Sequence, residues 1–163
     1  MINLLHMPKY EKIWMAVGMG ALFVFLLVTG ILSFSMGLNP PNGMETTNEP
    51  EKVELSPPFD NPGLEQIGPN EYRATVVSYV FGYTPNTITV PKGATVHFQI
   101  TSKDVVHGFN IPGTPTNIML IPGHVAEYTQ TFNNPGEYIY LCHEYCGAGH
   151  QLMYGKFVVE DKI

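Results

Sequence analysis

The chain has 163 residues, with fourteen acidic and eight basic side chains and a formal net charge of −6. That length holds one domain and an appendage rather than a large multidomain enzyme, and the acidic excess argues against nucleic acid as a partner. Charged residues make up only 13%, low for a soluble protein, so some segment must be strongly apolar.

That segment lies at the N-terminus. From Ile13 to Leu38 no side chain is charged. A helix rising ~1.5 Å per residue over this run crosses a ~30 Å hydrocarbon core with some tilt. The run is too long for a signal-peptide core, and no Ala-x-Ala cleavage pattern follows it. A buried core helix would show a polar stripe, and this run shows none. Lys9 and Lys12 precede the span, whereas Glu45, Glu49 and Glu51 come before the next base, Lys52. The positive-inside tendency then places the N-terminus in the cytoplasm and the remainder outside. Residues 1–38 thus read as a cytoplasmic N-terminus and one transmembrane helix in the plasma (inner) membrane, with Trp14 as an interfacial anchor.

Residues 39–70 contain NPP, NEP, SPP, DNP and GPN. Proline at that density blocks helix and central strand, which predicts an extended linker. Residues 71–163 change to β character. Strands are predicted at Tyr72–Val80, Thr87–Val90, Thr95–Thr101, Asn117–Ile121, Val125–Phe132, Gly136–Leu141 and Gly155–Glu160. Pro91-Lys92-Gly93, Pro112-Gly113, Pro122-Gly123 and Asn134-Pro135-Gly136 mark turns between them. Short strands at this spacing predict an all-β Greek-key sandwich or barrel on the outer, periplasmic side of the membrane.

The chemistry concentrates near the C-terminus, where Cys142, Cys146, His150 and Met153 form Cys-x-x-x-Cys-x-x-x-His-x-x-Met in a Gly-containing loop. Thiolate, imidazole and thioether make a soft ligand set that selects copper over zinc, calcium or magnesium. One Cys, two His and a weak Met suffice for a single-copper electron-transfer site; a second Cys lets another metal share the thiolates. The second imidazole must come from elsewhere, and His107, after a strand and before Gly108, suits a loop ligand. His6, His97 and His124 read as ordinary surface or structural residues, and His143 as a non-ligand. Two external cysteines also suit a disulfide. Such a bridge closes a very small loop with little entropic gain, and it leaves His150 and Met153 unexplained.

These residues resemble subunit II of the haem-copper oxygen reductases: the Cys142-x-Glu144 spacing, the upstream Val106-His107-Gly108-Phe109 and the single hydrophobic anchor. Phe81-Gly-Tyr-x-Pro-Asn, followed by Val90-Pro-x-Gly, resembles the short B-type cytochrome c oxidases, and the likeness runs from about Tyr10 to Val159. The resemblance implies a cupredoxin-like fold with a mixed-valence dinuclear copper A centre. By position, Cys142 and Cys146 would bridge both coppers, His107 and Met153 would serve one, and His150 with the Glu144 carbonyl the other. In long-form members a Glu here also binds magnesium at the interface with subunit I, although B-type members often differ.

The resemblance further implies outer-sphere electron transfer from cytochrome c or a similar donor to haem in subunit I, where dioxygen is reduced. Membrane lipid and a small further subunit would complete the surroundings. By the same analogy Phe81 and Tyr83 line the electron-input face; ordinary packing of aromatic residues is the other reading. Tyr10-Glu11-Lys12-x-Trp14 also resembles the B-type pattern, in which the Glu lies at the cytoplasmic mouth of a proton path. For Glu11 a solvated helix end stands beside that reading. Two rival functions remain at this point: a membrane-anchored single-copper carrier, and a disulfide-stapled domain without redox chemistry.

Overall fold

The computed structural model describes residues 8–36, 41, 43, 46 and 49–161, and His6 falls outside them. The chain divides into two compact units, Met1–Asn39 and Pro40–Ile163.

The first unit is helix α1, Lys9–Met36, with Glu11 in its first turn. A carboxylate there complements the positive end of the helix dipole. Lys9–Ser35 is long and apolar enough to cross a membrane, about 40 Å at ~1.5 Å per residue. None of its most apolar window is buried. Phe23, Phe25, Leu26 and Ile31 are all exposed, so the apolar surface runs round the helix instead of along one stripe.

The second unit is a two-sheet sandwich. One sheet carries β1 (Gly63–Gly68), β2 (Glu71–Tyr79), β5 (Ala94–Ser102) and β8 (Val125–Phe132) in that order, with β3 (Gly82–Thr84) attached to β2. The other runs β4 (Thr87–Pro91), β10 (Tyr154–Glu160), β9 (Gly136–Leu141), β6 (His107–Asn110) and β7 (Asn117–Leu120). β2 and β5 pair in parallel, as do β10 and β4; the other pairs are antiparallel. The expected all-β, cupredoxin-like sandwich is therefore present, with mixed sheets.

Strand alternation sets the core. β5 turns Ala94, Val96, Phe98 and Ile100 inward and Thr95, His97 and Gln99 outward. From the facing sheet come Ile88, Val90, Phe109, Leu120, Tyr140 and Phe157. Aromatic rings link the layers: Phe98 lies 5.5 Å from Phe109, which stacks on Tyr140 at 4.8 Å. His97 faces outward and meets Thr129 across the sheet at 3.0 Å. Gly93, Gly113 and Gly123 take φ of 78°, 85° and 82°, the conformation their predicted turns require.

The segment 39–70, expected to be an extended linker, carries structure. β1 begins at Gly63 and pairs along β2. Prolines at 62 and 69 bracket it, as an edge strand tolerates. Upstream, a 3-10 turn at Pro50–Leu55 buries Val53, and Phe59 follows. Both pack on Val77 and Val125, on the outer side of the first sheet. Lys103 and Glu54 tie this strap to the end of β5 at 3.0 Å. Three strands escaped the sequence reading: β1, β3 and β6, each short or without alternation. Phe59→Ala should lower the unfolding free energy of the sandwich by about 3 kcal/mol, because a buried ring leaves a cavity. Urea unfolding of the detergent-solubilised chain checks this, and an unchanged midpoint would show that the strap adds no stability.

Candidate metal centre

The loop from β9 to β10 carries five of the six predicted ligands, all but His107. Cys142 follows directly on β9, and its N–H donates to the Met153 carbonyl at 3.2 Å, which closes the base of the loop. A 3-10 turn at His150–Leu152 returns the chain to β10. Gly149 lies flat against the Phe81 ring, where any Cβ would collide with it. Phe81 thus acts as a cover over the loop while remaining 41% exposed.

The side chains converge. Cys142 and Cys146 Sγ lie 3.9 Å apart, both buried and both free. A disulfide needs about 2.05 Å, so the two sulfurs are unbonded neighbours and the stapled-domain reading fails. His107 Nδ1 sits 3.9 Å from Cys142 Sγ, and His150 Nδ1 sits 3.5 Å from Cys146 Sγ. Met153 Sδ is 3.6 Å from Cys146 Sγ. The Cys142 thiol meets the Glu144 carbonyl at 3.1 Å. Donor atoms of His107, Cys142 and Cys146 all lie within 4.8 Å of one another, a span one ion can bridge with bonds of about 2.0–2.3 Å.

His107 is the first residue of β6 and fully buried, not the loop ligand expected from its position before Gly108. Pairing with Leu120 of β7 fixes its backbone. Its Nε2 bonds Asp104 Oδ1 at 2.7 Å. A carboxylate only accepts, so Nε2 carries the proton and the Nδ1 lone pair faces the sulfurs. Asp104 is held in turn by the N–H groups of Val80 and Val105, each at 2.7 Å. Burial works to raise the Asp104 pKa, but these bonds and the His107 ring outweigh it and hold the carboxyl below the usual aspartate value. Asp104 has no role in the sequence reading. The Asp-x-x-His spacing was the available signal.

Burial, then the neighbouring Cys142, pushes the Cys146 thiol up to about 11. The site therefore resists thiolate charge unless a cation arrives with it. Tyr83 is 1% exposed, so it does not line an outer face as expected. Its hydroxyl donates to the Gly108 carbonyl, and burial followed by the nearby cysteines pushes its pKa well above the ordinary tyrosine value. His143 rests against Gly108, with Nε2 3.7 Å from the Glu144 carboxylate. Glu11 belongs to the other unit.

Two soft sulfurs, two imidazoles, a thioether and a carbonyl make a donor set suited to copper and ill-suited to hard cations. The family model for the cytochrome c oxidase subunit II periplasmic domain matches residues 73–161. Cytochrome c oxidase subunit 2 of Thermus thermophilus is 42% identical over 156 residues, covering 93% of this chain and 92% of that protein. Heme-copper oxidase subunit 2 of Aeropyrum pernix is 35% identical over 142 residues, covering 84% of this chain and 58% of its own. A chain of a heme-copper terminal oxidase dimer, determined by cryo-electron microscopy, superposes with a TM-score of 0.76 at 32% identity. That match covers 93% of this chain and 100% of the other. A sandwich of this topology, with two unbonded cysteines facing a buried histidine, and relatives that align along nearly its whole length lead to one assignment: the chain belongs to the cytochrome c oxidase subunit II family.

Proposed function

We propose that this chain receives electrons at a dinuclear copper A centre and passes them to haem in subunit I of a membrane-bound oxidase, where dioxygen is reduced. The observation that carries this reading is the convergence of two free, buried cysteines with the Nδ1 face of His107 from a separate strand. Cys142 and Cys146 would bridge both metals, with His107 and Met153 on one and His150 and the Glu144 carbonyl on the other. Bound there, a copper pair supplies one-electron chemistry shared over two sulfurs.

The chain's own residues keep the geometry constant while charge changes. β6 and β7 fix His107, Asp104 fixes its tautomer, and the loop base fixes Cys142 against Met153. Phe81 covers the loop glycines and presents its exposed edge to an external donor such as cytochrome c. The excess of acidic side chains beyond the helix suits a basic donor. Helix α1 anchors the chain in the membrane, with its lysine-bearing end in the cytoplasm and the sandwich outside. A small further subunit would lie beside it. Residues 1–38 form the anchor, a proline-rich stretch within 39–70 the connection, and 71–163 the body of the copper domain.

The intact chain loaded with copper should show hyperfine splitting from two equivalent copper nuclei in electron paramagnetic resonance, and Cys146→Ser should abolish it. A single-nucleus pattern in the unaltered chain would establish the single-copper carrier instead. Asp104→Ala should weaken copper affinity about 10–100-fold by freeing the His107 ring, read by competition with a chelator. Because the Asp104 pKa is depressed, its contribution is full above the ordinary aspartate range near pH ~4. It fades as the pH falls through the lower folded value. Two roles assigned by resemblance need the assembled oxidase. Glu144→Gln should reduce its magnesium content, and Glu11→Gln should slow steady-state oxygen reduction; unchanged values would remove each role in turn.

A further inference from the structure

Gly108 stands where a sheet ladder stops. β6 meets β9 at a single pair, Asn110 with Leu141, so among the described residues no strand lies beside Gly108 on that side. In a β-strand the N–H and C=O of one residue point towards the same neighbour. At Gly108 that neighbour is the metal centre. Its N–H donates to Cys142 Sγ at 3.3 Å, and its carbonyl accepts from the Tyr83 hydroxyl. The His143 ring occupies the space a side chain would need. Tyr83 reaches in from β3 and is held edge-on by Tyr140, with centroids 5.1 Å apart, and by Phe109 at 5.8 Å.

We propose that Tyr83 is a positioning residue for the metal centre, its hydroxyl replacing the absent strand partner of Gly108 and so holding the Gly108 N–H on the Cys142 sulfur. This rests on the copper reading above. A hydrogen bond to a thiolate withdraws negative charge from it and favours the more electron-rich, reduced state. Without the Tyr83 hydroxyl, the Gly108 carbonyl becomes an unsatisfied buried acceptor. The Gly108–Phe109 peptide then turns to recover a partner, and through the shared Gly108 Cα it draws the Gly108 N–H off the sulfur. Tyr83 would thereby act on the potential mainly through Gly108, with its hydroxyl also within reach of the Cys142 side chain, and without carrying an electron itself.

Tyr140 supplies the control. It is buried in the same aromatic cluster, but its hydroxyl donates to the Pro85 carbonyl, away from the sulfurs. The experiment compares the full-length, copper-loaded chain in detergent with Tyr83→Phe and Tyr140→Phe. Reduction potential, copper–sulfur resonance Raman bands and thermal midpoint are read for each. Tyr83→Phe should bind copper and shift to lower potential. At fixed ambient potential its oxidised-to-reduced ratio should rise about tenfold, ~59 mV for one electron. Its copper–sulfur bands should move with it. Tyr140→Phe should lose comparable stability and keep the potential and the bands. Equal potentials for Tyr83→Phe and the unaltered chain would overturn the proposal, and so would equal shifts in both variants. If Tyr83→Phe fails to accumulate, ring-fluorinated tyrosine at position 83 keeps the ring and strengthens the donor. It must then raise the potential, and an unchanged value overturns the proposal. Failure of the unaltered chain to bind copper would strike the copper reading itself and take this one with it.

Discussion

Two sulfur atoms sit 3.9 Å apart inside a protein and are not joined. That juxtaposition organises the copper domain. Burial, then the neighbouring Cys142, opposes ionisation of Cys146, as its raised pKa records. A cation relieves both effects at once, and the rest of the site supplies what a soft cation needs. β6 and β7 bring an imidazole from 35 residues upstream of Cys142. The β9–β10 loop brings a second imidazole and a thioether within the next eleven positions. Aromatic packing between the two sheets, with Phe109 stacked on Tyr140, holds the strands that carry His107 and lead into Cys142.

How much of this could be read in the sequence depended on distance along the chain. The Cys142–Met153 set was legible because its members share one loop and their spacing is local. The strands of the central sheet positions were legible because Val, Ile, Thr and Tyr alternate over several residues there. β3 and β6 were not, since three or four residues carry too few periods to show alternation. For Tyr83, which the resemblance placed on an input face, the burial agrees with the other reading, ordinary aromatic packing. Asp104 was missed because its role comes from bonds to Val80, Val105 and His107, and the Val80 bond spans 24 residues.

The proline-rich stretch teaches a different lesson. Its composition excludes helix and central strand, and the structure obeys that rule. It does not exclude an edge strand or a 3-10 turn, and both occur. Val53 and Phe59 are single apolar residues without periodicity, so nothing local marks them as buried. Their burial follows from Val77 and Val125, which would otherwise expose apolar surface on the outer side of the sheet. The strap also reaches the site: Glu54 pairs with Lys103, next to the aspartate that orients His107. The segment that leads to the domain is therefore part of its fold.

The unbonded cysteine pair also sets an order of events during assembly. Closing the gap from 3.9 Å to about 2.05 Å would join the two sulfurs. In the outward orientation proposed above, an oxidising compartment would favour that bond. A disulfide formed there would consume both thiolates and close the site to metal. The fold therefore makes maturation a race between an oxidant and a metal ion for the same two atoms. The winner is decided by which meets the reduced chain first, and by whether a reductant can reach the buried Cys146.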